Sequence, residues 1–130
     1  AAQTLRALAG SAFEVVAVLT RTDAPVGRKK ILTPSPVAEA AIELGIPIIK
    51  ANRVDADVRA EIEATGADLG VIVAYGALLD QATLDAMPMG WINLHYSLLP
   101  HLRGAAPVQH ALLQSLDSTG VSIFQLDELV

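Results

Sequence analysis

The chain has no cysteine, which removes two classes of architecture at once. Neither a disulfide framework nor a thiolate metal site can be built from it, and a reducing compartment suits it. Long hydrophobic runs are missing too. The longest nearly apolar stretch, Leu69 to Leu79, is eleven residues and contains Gly70 and Gly76, against the roughly 18 to 20 residues that span a bilayer. No membrane partner is expected. Basic charge is in deficit, with nine Lys plus Arg against fourteen Asp plus Glu and a net charge of -5. The surface as a whole is therefore no nucleic-acid platform, and any such contact must be local. Internal repeats and low-complexity segments are absent. No basic, apolar, small-residue leader opens the sequence, so a cytoplasmic address is expected.

What the chain does have is aliphatic patterning. Its 130 residues are 52% apolar, enough for one domain that buries about two-thirds of its unfolded surface. Such a proportion suits a parallel sheet covered on both faces. Short β-branched runs alternate with amphipathic stretches, the pattern of repeated βα units and of an open, mostly parallel α/β sheet. Strands are predicted at about Glu14 to Thr20, Pro47 to Lys50, Leu69 to Ala74, Trp91 to His95 and Val121 to Leu126.

Helices fill the intervals. The first, about Ala2 to Ala9, shows Leu5 and Leu8 on one face and stops at Gly10. Ser35 caps the second, Pro36 suits its first position because it has no N–H to lose, and Val37, Ala41 and Leu44 form its face before Gly45. Asp55 caps a third that carries Val58 and Ile62 to Gly66, and Asp80 starts a short fourth with Leu84 and Met87. A fifth, about Ala105 to Leu116, presents Val108, Leu112 and Leu116. Two irregular segments stand out: Arg21 to Pro36, and Ser97 to Gly104. Both follow predicted strands, where open α/β sheets place their ligands.

The strand Trp91-Ile92-Asn93-Leu94-His95 carries two polar residues where an apolar strand ends. One residue separates Asn93 from His95, so in an extended strand they share a face, roughly 7 Å apart. Acyl transfer to an amine must remove a proton from the amine and hold negative charge on the carbonyl oxygen. An Asn amide donates to such an oxygen, and a His near neutrality donates to it or moves the proton. Read alone, such a pair at a strand end is more often a structural anchor for the loop. Ser97-Leu98-Leu99-Pro100 follows, then Arg103-Gly104-Ala105-Ala106-Pro107. This is a rigid apolar turn that could wall a flat ligand, or an ordinary βα connection. Three consecutive cations, Arg28, Lys29 and Lys30, are either a solvated face or a local phosphate contact.

Taken together, N-x-H-x-S-L-L-P at Asn93 to Pro100 resembles the signature of the folate-dependent formyltransferases. Within that group, R-G-A-A-P-V-Q and the proline-rich basic loop from Arg21 to Val37 most resemble the methionyl-tRNA formyltransferases. The resemblance spans the chain. It implies a Rossmann-like fold with helices on both faces of the sheet. It implies formyl transfer from 10-formyltetrahydrofolate to the amine of methionyl-initiator tRNA, by a monomer that needs no metal. Asn93 and His95 would be catalytic, and Ser97, Leu98, Leu99 and Pro100 would line the folate site. Val73 to Leu79 looks like the loop around the pterin ring, with Tyr75, Gly76, Leu78 and Leu79 as contacts, although Leu78 and Leu79 also read as core. Arg28, Lys29 and Lys30 would meet tRNA phosphates. Formyltransferases for small amines, related hydrolases, and a folate-binding module without turnover are the alternatives.

The resemblance also marks departures. Family members open with an apolar strand and a Gly-Thr-Pro turn, whereas this chain begins inside the helix that follows. The third catalytic residue, an Asp, is expected just after Val130, and Asp127 and Glu128 do not inherit its role. A separate C-terminal tRNA-binding domain is expected as well. The 130 residues thus read as a partial catalytic domain, inactive by itself.

Overall fold

The computed structural model describes residues 1–127. In chain order the elements are α1 (Ala2–Ala9), β1 (Val18–Thr20), β2 (Ala24–Val26), β3 (Ile31–Thr33), α2 (Pro36–Leu44) and β4 (Ile48–Lys50). After these come α3 (Ala56–Ala64), β5 (Gly70–Val73), α4 (Gln81–Asp85), β6 (Trp91–His95), α5 (Pro107–Leu113) and β7 (Ser122–Gln125). The strand β1 pairs parallel with β4, β5 pairs parallel with β6, and β7 runs antiparallel along the other side of β6. This is the mixed α/β arrangement that the alternation of patterns predicts. Among the described residues no ladder joins the β1–β4 pair to the β5–β6–β7 group. Side chains join them instead. Ile62 of α3, Met87 and Trp91 form a buried cluster that also gathers Leu19 of β1, Ile49 of β4 and Ile72 of β5. A second cluster packs α1 and α2 against β1 through Leu5, Ala40, Ala41 and Val18.

The helix starts follow from their caps. Ser35 Oγ accepts from the Ala38 N–H at 3.1 Å with Pro36 next to it, and Asp55 and Asp80 accept from the N–H groups of Val58 and Thr83, each at 2.9 Å. Each such cap stabilises its helix by about 1 kcal/mol. Ser35 is buried, and its hydroxyl also shares a 2.6 Å hydrogen bond with Thr20 Oγ1. The cap therefore ties α2 to the end of β1.

Several expectations need correction. The first predicted strand begins at Val18 rather than Glu14, because its ladder partner β4 reaches no further back than Ile48 opposite Val18. The segment from Arg21 to Pro36 is not wholly irregular: β2 and β3 form an antiparallel hairpin with Val26 opposite Ile31. Pro25 is tolerated there because a two-stranded ribbon has edges that need no N–H donor. In α2 the buried face is Ala38, Ala40 and Ala41, while Leu44 is exposed. The fourth helix stops at Asp85, so Met87 reaches the core from the turn beyond it. The fifth is shorter than expected and buries Ala111, leaving Val108 and Leu112 exposed. Leu116 lies beyond it, past a left-handed turn at Ser115 (φ 53°), and so does not extend its face. Glu128 and Val130 lie outside the described residues. Among those described, no helix is long and apolar enough to cross a membrane.

One contact fixes the register of the site strand. Gly70 lies opposite Trp91 in the β5–β6 ladder, and a Cβ built on Gly70 would sit 2.0 Å from Trp91 Cε3. The indole occupies that space and is itself buried, with its N–H donating to the Thr83 carbonyl at 3.0 Å. Gly70→Ala must displace the ring, and overpacking of this kind destabilises by about 1–3 kcal/mol. A denaturant titration should show the midpoint falling accordingly. An unchanged midpoint would mean that the indole does not need the space.

Candidate active site

Because β5 and β6 run parallel, the loops that follow Val73 and His95 leave the sheet at the same end. The antiparallel β7 enters there, with Ser122 opposite His95 and Phe124 opposite Asn93. Directly opposed residues share a face of the sheet, so Asn93, His95, Ser122 and Phe124 stand together. Asn93 and His95 thus lie side by side at a strand end, as the alternation requires. Both are partly buried.

The imidazole is oriented by two contacts. Its Nε2 lies 2.8 Å from the Leu102 carbonyl oxygen. A carbonyl only accepts, so Nε2 carries the proton and, in the neutral ring, Nδ1 holds the free lone pair. The ring also stands edge-on to Phe124, with centroids 6.3 Å apart and planes at 69°, a favoured aromatic geometry. Leu102 has left-handed backbone, φ 56°, which disfavours a non-glycine residue by about 1–2 kcal/mol. Among the described residues the Asn93 carboxamide engages no hydrogen-bond partner. Its two N–H donors are free for a ligand.

The Ser97 to Pro100 turn divides its labour. Ser97 is fully buried, and its hydroxyl donates to the His101 carbonyl at 2.6 Å, so it shapes the turn from within. Leu98 is 58% exposed, Leu99 is partly buried, and Pro100, after a cis peptide bond, is exposed. Leu98 and Pro100 therefore supply the apolar surface.

The loop after β5 is divided in the same way. Ala74 and Gly76 take positive φ, 54° and 83°. The Tyr75 hydroxyl donates to the Ala51 carbonyl beyond β4, and burial raises the pKa of that phenol. The two leucines part company: Leu78 is 87% exposed, whereas Leu79 packs in the Trp91 cluster. Asp80 closes the loop. Its carboxylate accepts from the Thr83 hydroxyl and N–H, with Arg59 at 3.6 Å, and these hold its pKa below the ordinary value.

Arg28, Lys29 and Lys30 occupy the exposed tip of the β2–β3 hairpin, between Gly27 (φ 75°) and Ile31. Val26, Ile31 and Leu32 beside them are exposed as well. The base of the hairpin is fixed to the end of β4 by the Lys50–Asp23 ion pair at 2.7 Å and by paired hydrogen bonds between Asn52 and Thr22. Sequence reasoning missed Leu102, Phe124, Ser122 and Gly120, which surround Asn93 and His95 or the turn. The alternation of Ser122 and Phe124 along β7 was a usable signal. Nothing local marked Leu102.

A carboxamide and an imidazole thus share one strand end, between two loops that expose apolar side chains. A protein-family model described as formyl transferase matches residues 1–130, and the chain belongs to that family. It is 55% identical over 127 residues to the methionyl-tRNA formyltransferase of Clavibacter sepedonicus, covering 98% of this chain and 42% of that protein. It is 58% identical over 128 residues to the methionyl-tRNA formyltransferase of Arthrobacter sp. (strain FB24), with the same coverage. The chain therefore spans about two-fifths of the length of these curated relatives. Among solved structures, the phosphoribosylglycinamide formyltransferase of Anaplasma phagocytophilum matches with a TM-score of 0.77 at 19% identity, covering 97% of this chain and 60% of that one. The glycinamide ribonucleotide transformylase 1 of Geobacillus kaustophilus matches at 0.74 and 19%, covering 95% and 68%. At that identity the likeness is one of fold.

The Asp80 cap carries a pH signature. Its folded pKa lies below the unfolded value of 3.8, so the unfolded chain binds more protons through that window and stability rises with pH there. The contribution is complete above pH 3.8 and is lost as pH falls through the folded pKa. Asp80→Asn keeps a capping acceptor but does not titrate. Denaturation midpoints followed down the acid limb should fall less steeply for the variant; superimposable slopes would remove Asp80 from the account.

Proposed function

We propose that this chain forms the formyl-donor site of a cytoplasmic enzyme that moves a formyl group from 10-formyltetrahydrofolate to the α-amine of methionyl-initiator tRNA. The observation that carries the reading is the unengaged Asn93 carboxamide beside a His95 whose Nδ1 is its basic nitrogen. The names of the relatives at 55% and 58% identity support the choice of substrate.

The residues fit such a donor. Leu78, Leu98 and Pro100 expose apolar surface on two loops at one end of the sheet, and a flat heterocycle needs apolar walls. Gly76, exposed and left-handed, permits close backbone approach. In this reading Tyr75, Leu79, Ser97 and Leu99 hold the two loops in place from inside. The folate supplies the activated formyl group. Asn93 would donate an N–H to the carbonyl oxygen as negative charge grows there, and His95 Nδ1 would take the proton that the attacking amine gives up. It would return that proton to the folate nitrogen as the bond from that nitrogen to the formyl carbon breaks, releasing tetrahydrofolate.

Arg28, Lys29 and Lys30 are the proposed contact with tRNA phosphates. Their place on an exposed hairpin tip supports this, since a local basic point suits an acidic chain.

Two sets of variants test the reading in the protein that carries this chain. With saturating 10-formyltetrahydrofolate and methionyl-tRNA, Asn93→Ala should lower kcat about 100-fold, the scale for losing one oxyanion donor. His95→Ala should remove most activity while shifting stability by under about 1–2 kcal/mol, as for a partly exposed site residue. A His95→Ala protein that unfolds would make His95 a structural anchor instead. Separately, neutralising Arg28, Lys29 and Lys30 together should raise the KM for tRNA and flatten its dependence on salt, leaving the folate KM unchanged. An unaltered tRNA KM would point to a small amine as the acceptor.

A further inference from the structure

Besides its internal hydrogen bond from Ser97 to the His101 carbonyl, the Ser97 to Pro100 turn is bonded across to β7. Ser122, on β7, donates its hydroxyl proton to the Ser97 carbonyl at 2.7 Å and accepts from the Leu99 N–H at 3.1 Å. One hydroxyl thus engages two backbone groups of the turn, two residues apart. Gly120, just before the strand, leaves room for the same turn: a Cβ there would lie 2.4 Å from Leu98 Cδ2 and 2.8 Å from its Cγ. The Leu98 side chain fills the place of the missing methyl group. Elsewhere the turn borders a hollow of about 170 Å³, lined by Ser97, Leu98, His101, Leu102 and Leu116 among others. A side chain that borders empty space can move at little cost, because it has no contacts to lose there.

We infer that Ser122, with Gly120 beside it, is the positioning residue of this turn, setting where Leu98 and Pro100 stand relative to Asn93 and His95. The inference rests on the folate reading of the turn. The argument is one of degrees of freedom. Ser122 is the cross-strand partner of His95, so a turn bonded to Ser122 is referenced to the same ladder that carries the imidazole. The geometry needs a hydroxyl, since one atom must donate to a carbonyl and accept from an N–H at once. Threonine satisfies that requirement; alanine does not.

The test uses the active protein that contains this chain, with 10-formyltetrahydrofolate as the varied substrate. Ser122→Ala should raise the folate KM about tenfold, the scale of one to two lost hydrogen bonds, with kcat within about threefold. The KM for the formyl acceptor should hold, and the melting temperature should fall by only a few degrees, leaving the protein folded at the assay temperature. Ser122→Thr should restore the folate KM. Gly120→Ala, which keeps the hydroxyl and displaces Leu98, should raise the folate KM as well. If Ser122→Ala fails to fold, the Thr and Gly120 variants decide the matter by the same readout. An unchanged folate KM in Ser122→Ala and Gly120→Ala overturns the inference while leaving the folate reading intact. So does a loss of activity that follows only the folded fraction. A parent protein that neither binds nor uses 10-formyltetrahydrofolate overturns both.

Discussion

The site depends on an indole lying against a residue that has no side chain. Trp91 opens β6, and Gly70 sits opposite it in the parallel ladder, where any larger residue would collide with the ring. Strand register is otherwise weakly set by short aliphatic runs, and a slip of one residue would turn Asn93 and His95 to the other side of the sheet. The indole blocks that slip twice. Its ring fills the Gly70 position, and its N–H is committed to the Thr83 carbonyl. Thr83 is itself fully buried and hydrogen-bonded to Asp80. A line of contacts therefore runs from an exposed helix cap, through a tryptophan, to the two polar groups at the far end of the same strand.

Around that fixed strand, the loops balance strain against anchorage. Ala74 and Leu102 both adopt left-handed backbone without being glycine, which costs about 1–2 kcal/mol each. A single hydrogen bond returns about 1 kcal/mol. Tyr75 to Ala51 and His95 to Leu102 are such bonds, and neither clearly outweighs the adjacent strain. Burial adds the difference on one side. Leu79 packs in the Trp91 cluster, and burying a leucine contributes about 1.5–3 kcal/mol. The loop after β5 is thus held by its core residue, while the loop after β6 relies on polar contacts to β7.

That difference explains what was legible in the sequence. The caps at Ser35, Asp55 and Asp80 act within three residues of themselves, so their signals are local and the helices begin where the caps say. The pair Asn93 and His95 was legible for the same reason, through strand alternation. The hairpin was not. Pro25, Gly27 and Pro34 read as breakers, and the ribbon between them exists because Val26 and Ile31 pair across a turn in which Gly27 and Lys30 take positive φ. The face of α5 is not legible from bulk, because the small Ala111 is what packs while Val108 and Leu112 stay exposed. Leu78 and Leu79 are adjacent and identical in type, yet one is solvent-facing and the other is core. Only their tertiary surroundings separate them.

The charge of the chain poses a last question that distance answers. A net charge of -5 would repel a polyanion if it acted uniformly, but at physiological ionic strength exposed charges fade over about 8 Å. Three cations at a hairpin tip are therefore felt by a nearby phosphate largely for themselves. A two-stranded ribbon is marginally stable alone, so the tip needs a base. The Asp23–Lys50 ion pair and the Thr22–Asn52 hydrogen bonds join the start of the hairpin to the end of β4. Exposed ion pairs contribute little by themselves, and what this one adds is direction. With its base fastened at two adjacent residues, the ribbon can present Arg28, Lys29 and Lys30 away from the acidic body without a core of its own.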